Sequence, residues 1–344
     1  MSLRARVSRV VKVTLAHALY YTGVLDALVA WKLRRSGIVL MYHRVLPAGA
    51  DSFSSPGIVV TPETFALHMR VLREKLHPLT AREFAGALTA GALPSKSCLV
   101  TFDDGWYDNH RHALPILARE QVPALMFVAT DYIDSSTCFW QERVSRRLHS
   151  AWRAGNRATA ALAANGVTTL AGLSEGDARR AIQDTIQARK KLPLAQIDAW
   201  IDALFAALAG AGVDGGDLGD DRFMSWSEVA TLADSSVVTV GSHACSHRPL
   251  SKVDAATRRR ELDESRRLIE ARLGREVRTI AYPDGGHDDA TVDDTRAAGY
   301  ELAFTTIRGT VAAGDAPLRL RRVNIAEYGT NTRPEFLCRI AGLL

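Results

Sequence analysis

Short apolar runs punctuate the first third of the chain. "GIVLMYHRV" (37–45), "SCLVTF" ahead of an aspartate pair, and "PALMFVAT" (123–130) carry apolar residues at consecutive rather than alternate positions. Such runs fit strands buried on both faces, as in a parallel sheet covered by helices. Between them, "TPETFALHMRVLREK" (61–75) has a helix start, with Thr61 as N-cap and Pro62 at the first helical position. "HALPILAREQ" also reads as helical. Apolar strands alternating with helices predict an α/β fold.

The rhythm breaks from about 143 to 222. Ala- and Arg-rich helical segments such as "QIDAWIDALFAALAG" fill this stretch without a convincing strand, and it closes on the Gly/Asp loop "GVDGGDLGDD". We read it as a helical insertion. The α/β pattern resumes with "WSEVATLAD", "VVTVGSH", a charged helix over about 254–273, "RTIAYPDGG", "ATVDDTRAAGY", "ELAFTT" and "LRLRRVNI". Ahead of the first strand, Val7, Val10, Val11, Leu15 and Leu19 recur at helical spacing. Arg4, Arg6, Arg9, Lys12, Lys32, Arg34 and Arg35 surround them against one acid, Asp26. Residues 1–35 therefore read as a basic amphipathic helix. It either lies on an anionic membrane surface or packs its apolar face on the main domain, 36–344. His17, Tyr20 and Tyr21 interrupt the run, so it makes a poor signal peptide and a poor membrane span.

Composition changes this picture little. The 344 residues are 47% hydrophobic and 24% charged, ordinary for a soluble globular protein. The net charge of +5 is concentrated in the first 35 residues, which gives no support to nucleic-acid binding. Cys98, Cys138, Cys245 and Cys338 are scattered without a CxxC pair and read as reduced, buried thiols. Together with the poor signal peptide, they favour the cytoplasm or the cytoplasmic face of the membrane. Oligomeric state is not readable.

Two spacings carry chemistry. In "CLVTFDDGWYDNH" the second strand ends on Asp103 and Asp104, which is turn chemistry or a paired carboxylate site. In "VVTVGSHACSHRPLS", His243 and His247 stand four apart; on one turn of helix they would share a face and bind one cation. Ala244 occupies the place of the zincin glutamate, which disfavours that protease class, and Cys245 faces elsewhere. Two histidines and one aspartate would leave open metal positions for water and substrate, with the other aspartate as base.

"TFDDG", then "SHACSH", then "AYPDGG", in this order, resembles the polysaccharide deacetylases (the NodB-homology group, carbohydrate esterase family four), over about residues 36–330. The resemblance implies a distorted (β/α)7 barrel with its site at the strands' C-terminal ends. It implies Asp103 as general base and Asp104, His243 and His247 as ligands of one divalent metal, zinc, cobalt, nickel or iron. It further implies removal of N-acetyl groups from a glycan through attack of metal-bound water on the amide carbonyl. Two positions depart from the family. Its R-x-P-x-G motif has Ala281 in the arginine position, while Pro283 and Gly285 keep the turn and Asp284 supplies the backbone N–H facing the oxyanion. Arg322 supplies the missing cation or makes a surface salt bridge. No late histidine follows "LRLRR"; His43 in "LMYHRV", similar to the Y-H motif of the biofilm poly-N-acetylglucosamine deacetylase branch, is a general acid or a structural histidine.

Trp140 and Trp226 read as sugar-stacking or core residues. His110, His112 and His287 have no ligand spacing, and Asp288 and Asp289 read as helix-start residues. Two other readings stay beside the glycan deacetylase: an amide or imide hydrolase for a small substrate on the same barrel, and a silent glycan-binding module motivated by Ala281.

Overall fold

Seven of the apolar runs become parallel strands in the computed structural model, which describes residues 3–50, 52–216 and 218–343, with side chains from residue 12 onward. They are β1 (Ser36–Tyr42), β2 (Ser97–Phe102), β3 (Ala124–Val128), β4 (Val238–Ser242), β5 (Thr279–Ala281), β6 (Leu302–Arg308) and β7 (Leu320–Asn324). Each pairs with the next in sequence, and β1 pairs with both β2 and β7, so the sheet closes on itself. Every residue of β1, β2 and β3 is buried, as their unbroken apolar character requires. The barrel is distorted in two places. β4 and β5 share a single register pair, Ser242 with Ile280, and the register of β6 and β7 slips between Leu320 and Arg322. A slip of that kind re-aims the side chains that follow it.

Helices cover the barrel. Thr61 caps α3 (Pro62–Lys75), accepting a hydrogen bond from the Thr64 N–H, with Pro62 in its first turn. Asp254 does the same for α4 (Ala255–Leu273) through Thr257. The last helix is α5 (Arg333–Ala341). A short helix over Ala81–Thr89, absent from the sequence reading, starts with a reciprocal capping box between Thr80 and Glu83.

The amino-terminal stretch departs from the expected single helix. It forms α1 (Leu3–Tyr21) and α2 (Val24–Lys32), bent by 90° at a break where Gly23 takes φ 75°. Glycine enters that left-handed region without the Cβ penalty other residues meet, so the chain turns there. The side chains of Arg4, Arg6, Val7, Arg9, Val10 and Val11 lie outside the described residues. The Leu33 carbonyl, just past α2, accepts the Lys96 N–H just ahead of β2. The end of α2 therefore meets the barrel at the N-terminal ends of β1 and β2.

The chain divides into two compact units. The barrel unit takes the stretch to Ala50, Pro56–Asp134 and Phe223 onward; the other is Asp51–Ser55 with Ser135–Arg222. The second unit contains helices over Trp140–Ala154, Thr159–Ala164, Glu175–Arg189 and Leu194–Gly210. It buries its own core, including Leu148, Ile182, Ile201 and Leu204. All four cysteines are buried thiols.

Gly241 in β4 is a packing constraint. A Cβ there would sit 2.5 Å from Thr279 Oγ1 and 2.8 Å from the Phe127 ring. Gly241→Ala is expected to cost about 1–3 kcal/mol by overpacking, read as a lower urea midpoint at unchanged m-value.

Candidate active site

The loop after β2 decides how two adjacent carboxylates are used. Asp103 continues the strand, its N–H donating to the Tyr42 carbonyl. Asp104 turns into the left-handed region with φ 82°, and Gly105 follows at φ 87°. A Cβ on Gly105 would press on Val128 and Ile133 at 3.2 Å, so this turn needs glycine twice over. Successive strand residues point to opposite faces. The positive φ at Asp104 breaks that alternation and brings both carboxylates to the barrel's C-terminal end.

Asp103 meets Arg322. Arg322 Nη1 and Nη2 donate to the two carboxylate oxygens at 2.6 and 2.7 Å, and its Nε donates to the Thr305 carbonyl at 2.9 Å. Both residues are buried, Arg322 to 1% exposure, so this is an interior ion pair and not a surface salt bridge. Burial pushes the Asp103 carboxyl up, but the Arg322 charge and its hydrogen bonds, with His243 and His43, outweigh this and hold it below the usual aspartate range. The guanidinium comes from β7 at the register slip, whereas Ala281, in the expected arginine position, is wholly buried apolar surface.

Asp104 meets the histidine pair. Its Oδ1 lies 3.5 Å from His243 Nε2 and 3.4 Å from His247 Nε2, and one donor atom from each residue falls within 4.8 Å of the others. No helical turn joins the histidines. The segment is a loop in which Ala244 and His247 both take positive φ, 61° and 56°. Glu261 of α4 holds that loop: it accepts the N–H groups of Cys245 and Ser246 and the Ser246 hydroxyl. Cys245 points its thiol away, to the Glu261 carbonyl.

The donor set fits a cation. His243 Nδ1 is 2.7 Å from the Ala281 carbonyl, which can only accept, so Nδ1 carries the proton. In the neutral ring, Nε2 then turns a lone pair toward an aspartate oxygen, which is favourable only with a cation between them. Burial opposes charging His243, yet the hydrogen-bonded Asp104 and the charges of both aspartates outweigh it and raise its pKa. Burial likewise pushes Asp104 up, and its bonds to the two histidines more than reverse this, holding it well below the usual range.

A further shell fixes Asp104. Trp106 Nε1 donates to Asp104 Oδ2 at 3.0 Å. The Trp106 ring stacks on Phe223 at 4.1 Å, and the Arg44 guanidinium stands 3.8 Å from its centroid. Arg44 in turn pairs with buried Asp108. His43 Nε2 lies 3.9 Å from Asp103 Oδ2, its Nδ1 is buried without a hydrogen-bond partner among the described residues, and burial lowers its pKa.

The remaining sequence candidates fall as follows. Pro283, Asp284 and Gly285 form a tight turn with φ 52° at Asp284 and 70° at Gly285, where a Cβ would collide with Thr306. Trp226 is 9% exposed within the main barrel core, beneath the Arg272 guanidinium, and packs as a core aromatic. Trp140 packs on the second unit's core. His287 stacks on Tyr282, and Asp288 caps the helix that starts at Asp289. Trp106, Glu261, Arg44 and Asp108 were not singled out from sequence; Trp106, two residues beyond Asp104, is the one whose place gave a signal.

A family model for polysaccharide deacetylase matches residues 90–303, well over half the chain. The chain belongs to the polysaccharide deacetylase family. It is 19% identical over 290 residues to YxkH of Bacillus subtilis, named for the same family, covering 84% of this chain and 71% of that one. Among solved structures it superposes on the Streptococcus pyogenes deacetylase PplD, determined with acetate, with TM-score 0.58, 18% identity, and 89% and 98% of the two chains covered. IcaB from Ammonifex degensii gives TM-score 0.56 at 20% identity, over 89% and 97%. At these identities the superpositions establish the fold, the (β/α)7 barrel of the deacetylases.

Three outcomes follow from the geometry. Arg322→Met leaves Asp103 buried without its partner and should destabilise by about 3–5 kcal/mol in urea unfolding. Glu261→Ala frees the histidine loop and should weaken metal affinity about 10–100-fold by calorimetry. Because the His243 pKa is raised, its proton competes with the metal to higher pH than an ordinary imidazole would; affinity is expected to fall as pH drops through that range, by about tenfold per pH unit for each proton displaced.

Proposed function

We propose that this polysaccharide deacetylase is a metal-dependent hydrolase that removes N-acetyl groups from an amino-sugar glycan. The observation that carries the reading is the convergence of Asp104, His243 and His247 beside the Asp103–Arg322 pair. In this reading Asp104 and the Nε2 atoms of the two histidines hold one divalent ion, zinc, cobalt, nickel or iron. That ion, when bound, supplies Lewis acidity to the amide carbonyl and to water.

The chain's own residues do the rest. Asp103, kept anionic by Arg322, accepts the proton that the attacking water gives up. Arg322 holds both carboxylate oxygens and so fixes the direction in which the base faces. The backbone N–H of Asp284 is assigned to the oxygen that gains charge. His43, 3.9 Å from Asp103, is kept neutral by burial. The proton that Asp103 has accepted passes to His43 and from it to the departing amine as the carbon–nitrogen bond breaks, which returns Asp103 to its anionic form. Acetate and the free amino sugar are the products. With Arg322 on Asp103, the alanine at 281 no longer argues for a silent binder.

Acetate release from N-acetylglucosamine oligomers by protein stripped and reloaded with zinc, cobalt or nickel tests the reading. Asp104→Ala should lose metal and turnover together. Asp103→Asn should keep metal, checked by elemental analysis of folded protein, and lose about 10²–10⁴ in kcat. Near-normal turnover in Asp103→Asn would remove the base assignment. Unchanged kcat in His43→Ala would return that residue to structure.

A further inference from the structure

The amino-terminal helix pair is apolar on two sides. Ala16 of α1, with Leu25 and Val29 of α2 and Leu33 just beyond it, belongs to the barrel unit's core. The outward side carries Leu15, Tyr21, Val24 and Trp31, exposed to 56, 80, 44 and 67%. Seven large apolar side chains are this exposed among the described residues, and these are four of them. On α2, Val24, Ala27 and Trp31 are all exposed and fall at i, i+3 and i+7, one stripe of the helix. A surface helix of a soluble domain places polar and charged residues there.

The charges around this stripe have one sign. Lys12, Arg34 and Arg35 are exposed and Lys32 partly so, with the Arg34 guanidinium 5.9 Å from the Trp31 ring. Asp26, the one acid between residues 12 and 35, is held by Lys75 at 2.7 Å. The half-exposed Leu343 adjoins the same patch, since a Cβ on Gly342 would sit 2.6 Å from Lys32 Nζ. By apolarity the segments Lys12–Tyr21 and Val24–Lys32 together match a membrane span, but the 90° bend leaves neither long enough to cross.

We infer that the outward face of α1 and α2 docks on the surface of an anionic lipid bilayer. The Trp31 and Tyr21 rings enter the headgroup layer, Leu15 and Val24 reach the acyl boundary, and the flanking lysines and arginines meet lipid phosphates. Because α2 joins the barrel at the strands' N-terminal ends, docking there leaves the Asp104–His243–His247 end in water.

Flotation of the full chain with phosphatidylcholine vesicles, with and without phosphatidylglycerol, tests this. Flotation is expected with the anionic vesicles and should weaken as salt is raised. The double variant L15S/W31S, both positions exposed, should reduce binding about tenfold or more at unchanged thermal midpoint. R34E/R35E should abolish the preference for anionic lipid. Three results would each overturn the inference. One is absence of flotation, and another is flotation unaffected by L15S/W31S. The third is a wild-type dimer in light scattering that L15S/W31S turns to monomer, which would make this face a contact between copies of the chain.

Discussion

Asp103 and Arg322 are both removed from water, and each is tolerable there only because of the other. Their contact reaches from the end of β2 to β7, past β1, which pairs with both strands. The ion pair therefore braces the seam where the first and last strands close the barrel. It also sets the electrostatics of the mouth. A carboxylate that must stay ionised next to the His243 and His247 cluster cannot share a proton with its neighbour, so the two aspartates are free to play different parts.

Their separation is achieved by backbone conformation and not by distance along the chain. Asp103 keeps strand geometry, whereas Asp104 is turned by its left-handed φ toward the imidazoles and secured by the Trp106 indole. A non-glycine residue in that region carries strain of about 1–3 kcal/mol. The charge-assisted bond from the Trp106 indole helps offset it.

Features that depend on local spacing were readable from the residues alone. Apolar runs marked the strands, and the Asp-Asp and His-x-x-x-His spacings marked the cluster. What depends on distant packing was not. Arg322 could be noticed at a strand end, but only burial at a register slip separates a partner for Asp103 from a surface charge. Glu261 sits within "RRRELDESRR", where its neighbours read as a solvated face, yet it turns inward to carry the histidine loop. The helical-turn geometry that would have put the two histidines on one face is not what joins them. A loop does so, and its course, with positive φ at Ala244 and His247, was not readable from the spacing. The break at Gly23 was visible as a glycine but not as a right-angled bend. Trp226, which the sequence left between a sugar-stacking and a core residue, lies in the barrel core.

The chain leaves the barrel unit after Asp134 and re-enters it at Phe223, and these ends meet: the Asp134 N–H donates to the Met224 carbonyl. Residues 135–222 thus begin and end at one hydrogen-bonded point. A segment joined this way can lengthen, shrink or be exchanged over evolutionary time with little change in closure entropy, which grows only slowly with length. The freedom stops at the junction. Phe223 bridges to Trp106, and the Met224 N–H donates to the Gly105 carbonyl, so the residues that readmit the chain also buttress the turn presenting Asp104. Changes within the excursion leave these contacts alone, whereas a change at Phe223 or Met224 reaches directly into the turn that presents Asp104.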